Sequence, residues 1–180
     1  MDLFSLMNTE ACALQSLLAR CLAAWDSSRM TGQDRHAVAA VCRYLRAQER
    51  AVFVALLAVS PDDAEAPVDR HHRMKHRARQ ALALCRQRDA DARCAVRALA
   101  AALDDYAEWQ RGALRRVMQM VFVPDECAQI AGTLKLELLE DAPDAAAAPT
   151  AHVWRAWCAH WISRRRTLPQ LTQAQFVYRN

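Results

Sequence analysis

The apolar residues recur at helical spacing along nearly the whole chain. Leu14, Leu17, Leu18, Cys21, Leu22 and Trp25 fall three and four apart, which places them on one face of a helix. Extended backward through Leu3, Met7 and Glu10, this stripe predicts a helix from near Asp2. A cap at Asn8 or Thr9 predicts a shorter one with Glu10 in its first turn. Both readings stay open at this point. A second helix is predicted over 34–59 with Val41, Tyr44, Gln48, Val52, Leu56 and Val59 in line. A third runs from about Asp69 to Arg88 on Met74, Ala78, Ala81, Leu82 and Cys85, with His71 one turn earlier. A fourth runs from about Ala92 to Val121 on Leu99, Leu103, Tyr106, Gln110, Ala113 and Val117. Ser60-Pro61-Asp62-Asp63 and Pro67 read as an acidic loop, Asp89-Ala90-Asp91 as a turn, and Pro124-Asp125-Glu126 as a stop followed by a helix to Leu139. Beyond the Ala- and Pro-rich connector 144–149, Thr150 caps a last helix to about Arg165.

Four long helices with short connections predict an all-α, up-down-up-down four-helix bundle over 1–123. Residues 124–180 add two C-terminal helices and a tail packed on the same domain. With 3 Gly in 180 residues and almost no alternating Val, Ile, Thr or aromatic runs, strands are not expected. Gly112 lies inside the fourth helix, at a cost of about 1 kcal/mol against Ala unless close packing needs it.

Two stretches repeat a pattern. Tyr44 is followed by Gln48 and Tyr106 by Gln110, each pair inside an apolar stripe and so pointing inward. Buried phenols and amides must be paired, and a matched pair on two helices suggests a duplicated helical hairpin with a hydrogen-bonded layer.

The segment Tyr44-Leu45-Arg46-Ala47-Gln48-Glu49-Arg50-Ala51-Val52-Phe53 resembles the helix motif of the hemerythrin-like family, and Tyr106 to Gln110 resembles it in the same way. The resemblance covers roughly residues 9 to 120. It implies a duplicated hairpin enclosing an iron site. Here Tyr replaces the leading His of the motif and Gln the acid four places on. The resemblance leaves Glu10, Tyr44, Glu49, His71, His72 and Tyr106 as an altered ligand set, with iron as the implied metal. A register check opposes an intact site. Glu49 lies ten residues before Val59, whereas His71 lies two after Asp69, and eight residues at 1.5 Å each is about 12 Å of mismatch.

Charge changes the picture modestly. A net charge of +4 suits a solvated helical surface better than a dedicated nucleic-acid binder, so nucleic-acid binding through the basic helix ranks last. The 7 Cys form no Cys-x-x-Cys and imply reduced thiols in the cytoplasm, and no apolar run reaches membrane length. No nucleophile elbow or phosphate loop is present, so no enzyme activity and no cofactor is expected. The candidate partner surface consists of Arg70, His72, His76 and Arg79 on the third helix and of Trp154, Trp157 and Trp161 on the last. The expected function is that of a non-enzymatic interaction or regulatory protein with a protein partner. A homodimer stays open, and a metal- or dioxygen-binding sensor is the alternative.

Overall fold

A computed structural model describes residues 2–25 and 33–140, and the described residues are helical without a strand. Helix α1 is Leu3–Trp25. Helix α2 consists of an α segment Gln33–Gln48, a π turn Glu49–Phe53 and an α segment Val54–Val59. Helix α3 is Pro61–Gln87. Helix α4 repeats the composite plan of α2, with Ala92–Trp109, a π turn Gln110–Leu114 and Arg115–Val121. Helix α5 is Pro124–Glu140. The expected last helix with Trp154, Trp157 and Trp161, and the tail after it, lie outside the described residues.

Asp2 decides where α1 begins. Its carboxylate accepts the Ser5 backbone N–H at 3.0 Å and its carbonyl accepts Leu6 N–H at 3.1 Å, so Asp2 is the cap and the stripe starts at the buried Leu3. Asn8 and Thr9 therefore lie inside the helix. Glu10 is half-buried in mid-helix rather than an acid of the first turn.

Helix α3 begins eight residues earlier than the sequence suggests. Ser60 sits outside it in non-helical geometry, its carbonyl accepts Ala64 N–H at 3.0 Å, and Pro61 takes the first helical position, where a missing N–H costs nothing. Asp62 and Asp63 follow in the first turn, where the helix dipole favours acids. The Ser60–Pro67 stretch is thus the opening of a helix and not a loop, and Pro67 is buried within it. Those eight residues also remove the 12 Å register mismatch, because it rested on a start at Asp69.

Neighbouring helices run antiparallel. At one end of α1 the Tyr44 hydroxyl of α2 reaches the Met7 carbonyl, and at the other Trp25 Nε1 donates to the buried Asp34 carboxylate. Between α1 and α4, Gln15 pairs with Asp104 and Asn8 with Arg111. Between α2 and α3, Glu49 meets Lys75 while Phe53 stacks on His71 at 4.2 Å. Helix α3 packs on α4 as well, so these four helices contact one another in a closed cycle. Leu18, Val38, Val41, Leu45, Ala78, Val96, Leu99 and Leu103 fill the space among them. Helix α5 lies against α1 and α2. It buries Cys127, Ile130, Ala131 and Leu134, and its buried Glu137 accepts from Arg50 of the first π turn at 2.9 Å.

The π turns re-phase both long helices. Val54 N–H bonds to Glu49 O and Arg115 N–H to Gln110 O, each five residues back. The extra residue moves the buried stripe of α4 after Gln110 to Leu114 and Met118, not the expected Ala113 and Val117, which are half-buried. Gly112 is exposed in the second π turn, and a Cβ there would meet nothing within 4 Å, so close packing is not its reason.

Candidate functional site

The two Tyr–Gln pairs meet in the core at the level of the π turns, and their closest bonds are crossed. Tyr44 donates to Gln110 Oε1 at 3.2 Å, and Tyr106 donates to Gln48 Oε1 at 3.2 Å. All four side chains are buried. Each hydroxyl also lies near the glutamine of its own helix for Gln48 beside Tyr44 and Gln110 beside Tyr106, so the four close into a compact square. Every i, i+4 pair is thereby exchanged between one helical hairpin and the other. The apolar stripe carries each pair inward, and the following π turn lets the helix continue without rotating the pair out of the core.

Each hydroxyl has one proton and a second partner. Tyr44 also faces the Met7 carbonyl at 3.0 Å. Tyr106 faces His71 Nδ1 at 2.7 Å. His71 is fully buried between Phe53 and Tyr106, with the Leu45 backbone beside it and no hydrogen bond at Nε2. With the phenolic proton on Gln48 Oε1, the contact closes when the ring proton sits on Nδ1 and is donated to the Tyr106 oxygen.

Burial sets the charge state of the layer. Desolvation pushes both phenols well above their ordinary pKa and pushes His71 down to about 3, helped by the Lys75 and His72 charges and opposed by Glu49. The layer is therefore neutral at physiological pH. The amide nitrogens of Gln48 and Gln110 are buried without a partner, an unpaid hydrogen-bonding capacity at the centre of the molecule.

The ligand set implied by the family resemblance divides. Tyr44, His71 and Tyr106 come together. Glu49 and His72 lie one step outward, where Glu49 accepts from Lys75 and lies 3.7 Å from His72. Burial would raise the Glu49 carboxyl, but the Lys75 hydrogen bond and charge outweigh it and hold it below the ordinary value. Glu10 lines an open groove of α1, α2 and α5 beside Tyr44, Arg43 and Lys135. The buried donors are two phenols, two amides and one imidazole, which do not fit a carboxylate-bridged iron pair. Among the described residues no group of three His, Cys, Asp or Glu side chains could hold a metal ion.

The candidate partner residues of α3 also divide by face. His72 turns to Glu49, whereas Arg79 lies toward Cys42 of α2. His76 is exposed. Arg70 turns to α4, where it donates to the Asp105 carbonyl at 3.4 Å and sits 5.3 Å over the Trp109 ring. Beside it on that face stand Arg73 and Arg77, which belong to the basic segment of the third helix but were not among the expected partner residues, although they share the i, i+3, i+7 spacing of one helix face. The Arg50–Glu137 pair was missed too, and its signal is an acid at a stripe position after Cys127, Ile130, Ala131 and Leu134.

Among the described residues no helix is long and apolar enough to cross a membrane. Comparison with known protein families, with curated proteins and with solved structures gives no match.

Proposed function

We propose that the chain is a non-enzymatic, cytoplasmic interaction or regulatory protein that binds a protein partner. It would be built as an up-down-up-down four-helix bundle with two further C-terminal helices. One observation carries this reading. The ionisable core groups Tyr44, Tyr106 and His71 are neutral and turned toward one another, while on α3 the Arg73 and Arg77 guanidiniums reach solvent with no acidic partner among the described residues. This unneutralised charge of α3 is on the surface, where a partner meets it. The test is co-purification with the full chain as bait at low and at high salt. A stoichiometric protein partner, released as salt rises, is expected. A chain that stays alone at low salt and turns over a small molecule contradicts the reading.

A second reading, a hemerythrin-like metal- or dioxygen-binding sensor with an altered ligand set, is favoured by the meeting of Tyr44, His71 and Tyr106 beside two π turns. It requires phenolates where burial favours phenols. Elemental analysis with an optical spectrum tests it: iron near stoichiometry with a phenolate charge-transfer band supports it, and trace iron with no band removes it.

A further inference from the structure

The face of α3 that meets α4 carries more positive charge than the described residues neutralise. Arg70, Arg73 and Arg77 line one open groove of about 260 Å³ with Met74, Ala102, Asp105 and Tyr106. The three guanidiniums stand on a single helix face and span seven residues, about 10 Å along the axis. Like charges on successive turns repel, so the row is held against its own electrostatics. On the opposite face of α3 the arrangement differs, because Glu49 of α2 takes both Lys75 and His72. Among the described residues that line the groove the single carboxylate is Asp105, and it stands against three cations.

The groove is also preorganised. Arg70 is anchored by the Asp105 carbonyl and by the Trp109 ring. Trp109 in turn stacks on Tyr106 at 5.3 Å. The α4 wall is low at Ala102, which leaves room between the cations and α4. Among the described residues Arg73 and Arg77 keep their donors free, in a geometry that grips carboxylates two bonds at a time. A span of about 10 Å is longer than one small anion needs. It matches carboxylates repeated at i, i+3 or i+4, and i+7 along a helix laid beside α3.

We propose that the α3–α4 groove is the docking site for an acidic helical segment of the protein partner, with Arg73 and Arg77 as its principal carboxylate contacts and Arg70 as the fixed end of the row. This rests on the partner-binding reading above and names the chemistry of the partner.

The probe is a synthetic Ala-rich helical peptide with Glu at i, i+4 and i+7, compared with the same peptide carrying Gln. Binding to the full chain is followed by fluorescence anisotropy at low salt. The Glu peptide is expected to bind and the Gln peptide to bind at least about tenfold more weakly, as for the loss of charged hydrogen bonds. Arg73→Gln with Arg77→Gln should weaken the Glu peptide about tenfold or more. Arg86→Gln with Arg116→Gln removes the same charge from elsewhere on the molecule and should change it less than about twofold. Equal losses in the two double variants, or no preference for Glu over Gln, overturn the proposal. So does an oligonucleotide or an anionic-lipid vesicle that displaces the peptide from Arg73 and Arg77 at lower concentration. Circular dichroism confirms that the variants fold. If the natural partner is still captured by the Arg73→Gln, Arg77→Gln chain with unchanged affinity, the groove is wrong and the partner-binding reading stands. If no partner is captured by the unmodified chain, both fall.

Discussion

The two halves of the buried layer are built from the same parts and closed differently. In one, Tyr44 of α2 meets Gln110 and a backbone carbonyl of α1, that of Met7. In the other, Tyr106 of α4 meets Gln48 and a side chain of α3, His71. The Met7 carbonyl lies in mid-helix and already accepts the i+4 N–H of α1. His71 Nδ1 has Tyr106 alone. A duplicated pattern in the sequence therefore gives near-symmetry in the fold with unequal dependence on the two hydroxyls. The half that holds the histidine has more to lose.

The largest expected effect follows from that inequality. Tyr106→Phe leaves His71 Nδ1 and Gln48 Oε1 both unpaired in the core and should cost about 2–3 kcal/mol in chemical denaturation, whereas Tyr44→Phe should cost about 1 kcal/mol. Equal losses would break the comparison.

Next comes pH. The folded pKa of His71 is depressed to about 3 from an unfolded value near 6.5. Below 6.5 the unfolded chain takes up a proton that the folded chain refuses, so the group's contribution falls as pH drops from about 6.5 toward 3 and is constant above. Glu49, Lys75, His72, Tyr106 and Phe53 surround it. Glu49 acts in the same sense, because its lowered carboxyl supports the fold above its unfolded pKa and loses that support in acid. Denaturation midpoints at a series of pH values should fall by an amount on the order of a few kcal/mol across this window. The fall should be shallower in His71→Phe.

The π turns sharpen the comparison further. Deleting Gly112 removes the extra residue of a π turn and should convert it to α helix with a change within about 1 kcal/mol. Deleting Ala101 from the α segment instead turns every following buried residue of α4 by about 100° and should abolish cooperative unfolding.

The smallest effects are two gains. Arg88 closes α3 in left-handed geometry, with φ 54°, where Gly is favoured, while Gly112 occupies helical space where Ala fits. Arg88→Gly and Gly112→Ala should each raise stability by roughly 0.5–1 kcal/mol, read as a shift in denaturation midpoint.

The sequence made the helices legible through periodicity, and it made the layer legible through the two Tyr–Gln pairs at i, i+4. It could not show the crossing, because a pair on one helix face carries no mark of which hairpin supplies its partner. The start of α3 was hidden by Pro61 and Pro67, which look like breakers although Pro at a first helical position is compatible with a helix. The shift from Val117 to Met118 was hidden because a π turn has no composition of its own. Glu10 looked inward on stripe spacing and Glu49 entered through the family resemblance, but Lys75 is close enough to hold Glu49 outside the layer. Arg73 and Arg77 gained their meaning from α4, which the local sequence does not contain.

The central claim is that the two hairpins are joined through the crossed bonds. A double-mutant cycle on Tyr106→Phe and Gln48→Leu measures it most directly, because these residues lie on different hairpins and meet at 3.2 Å. A coupling energy of about 1–2 kcal/mol is predicted. Additive losses would show that the two side chains do not depend on each other and would contradict the crossed layer.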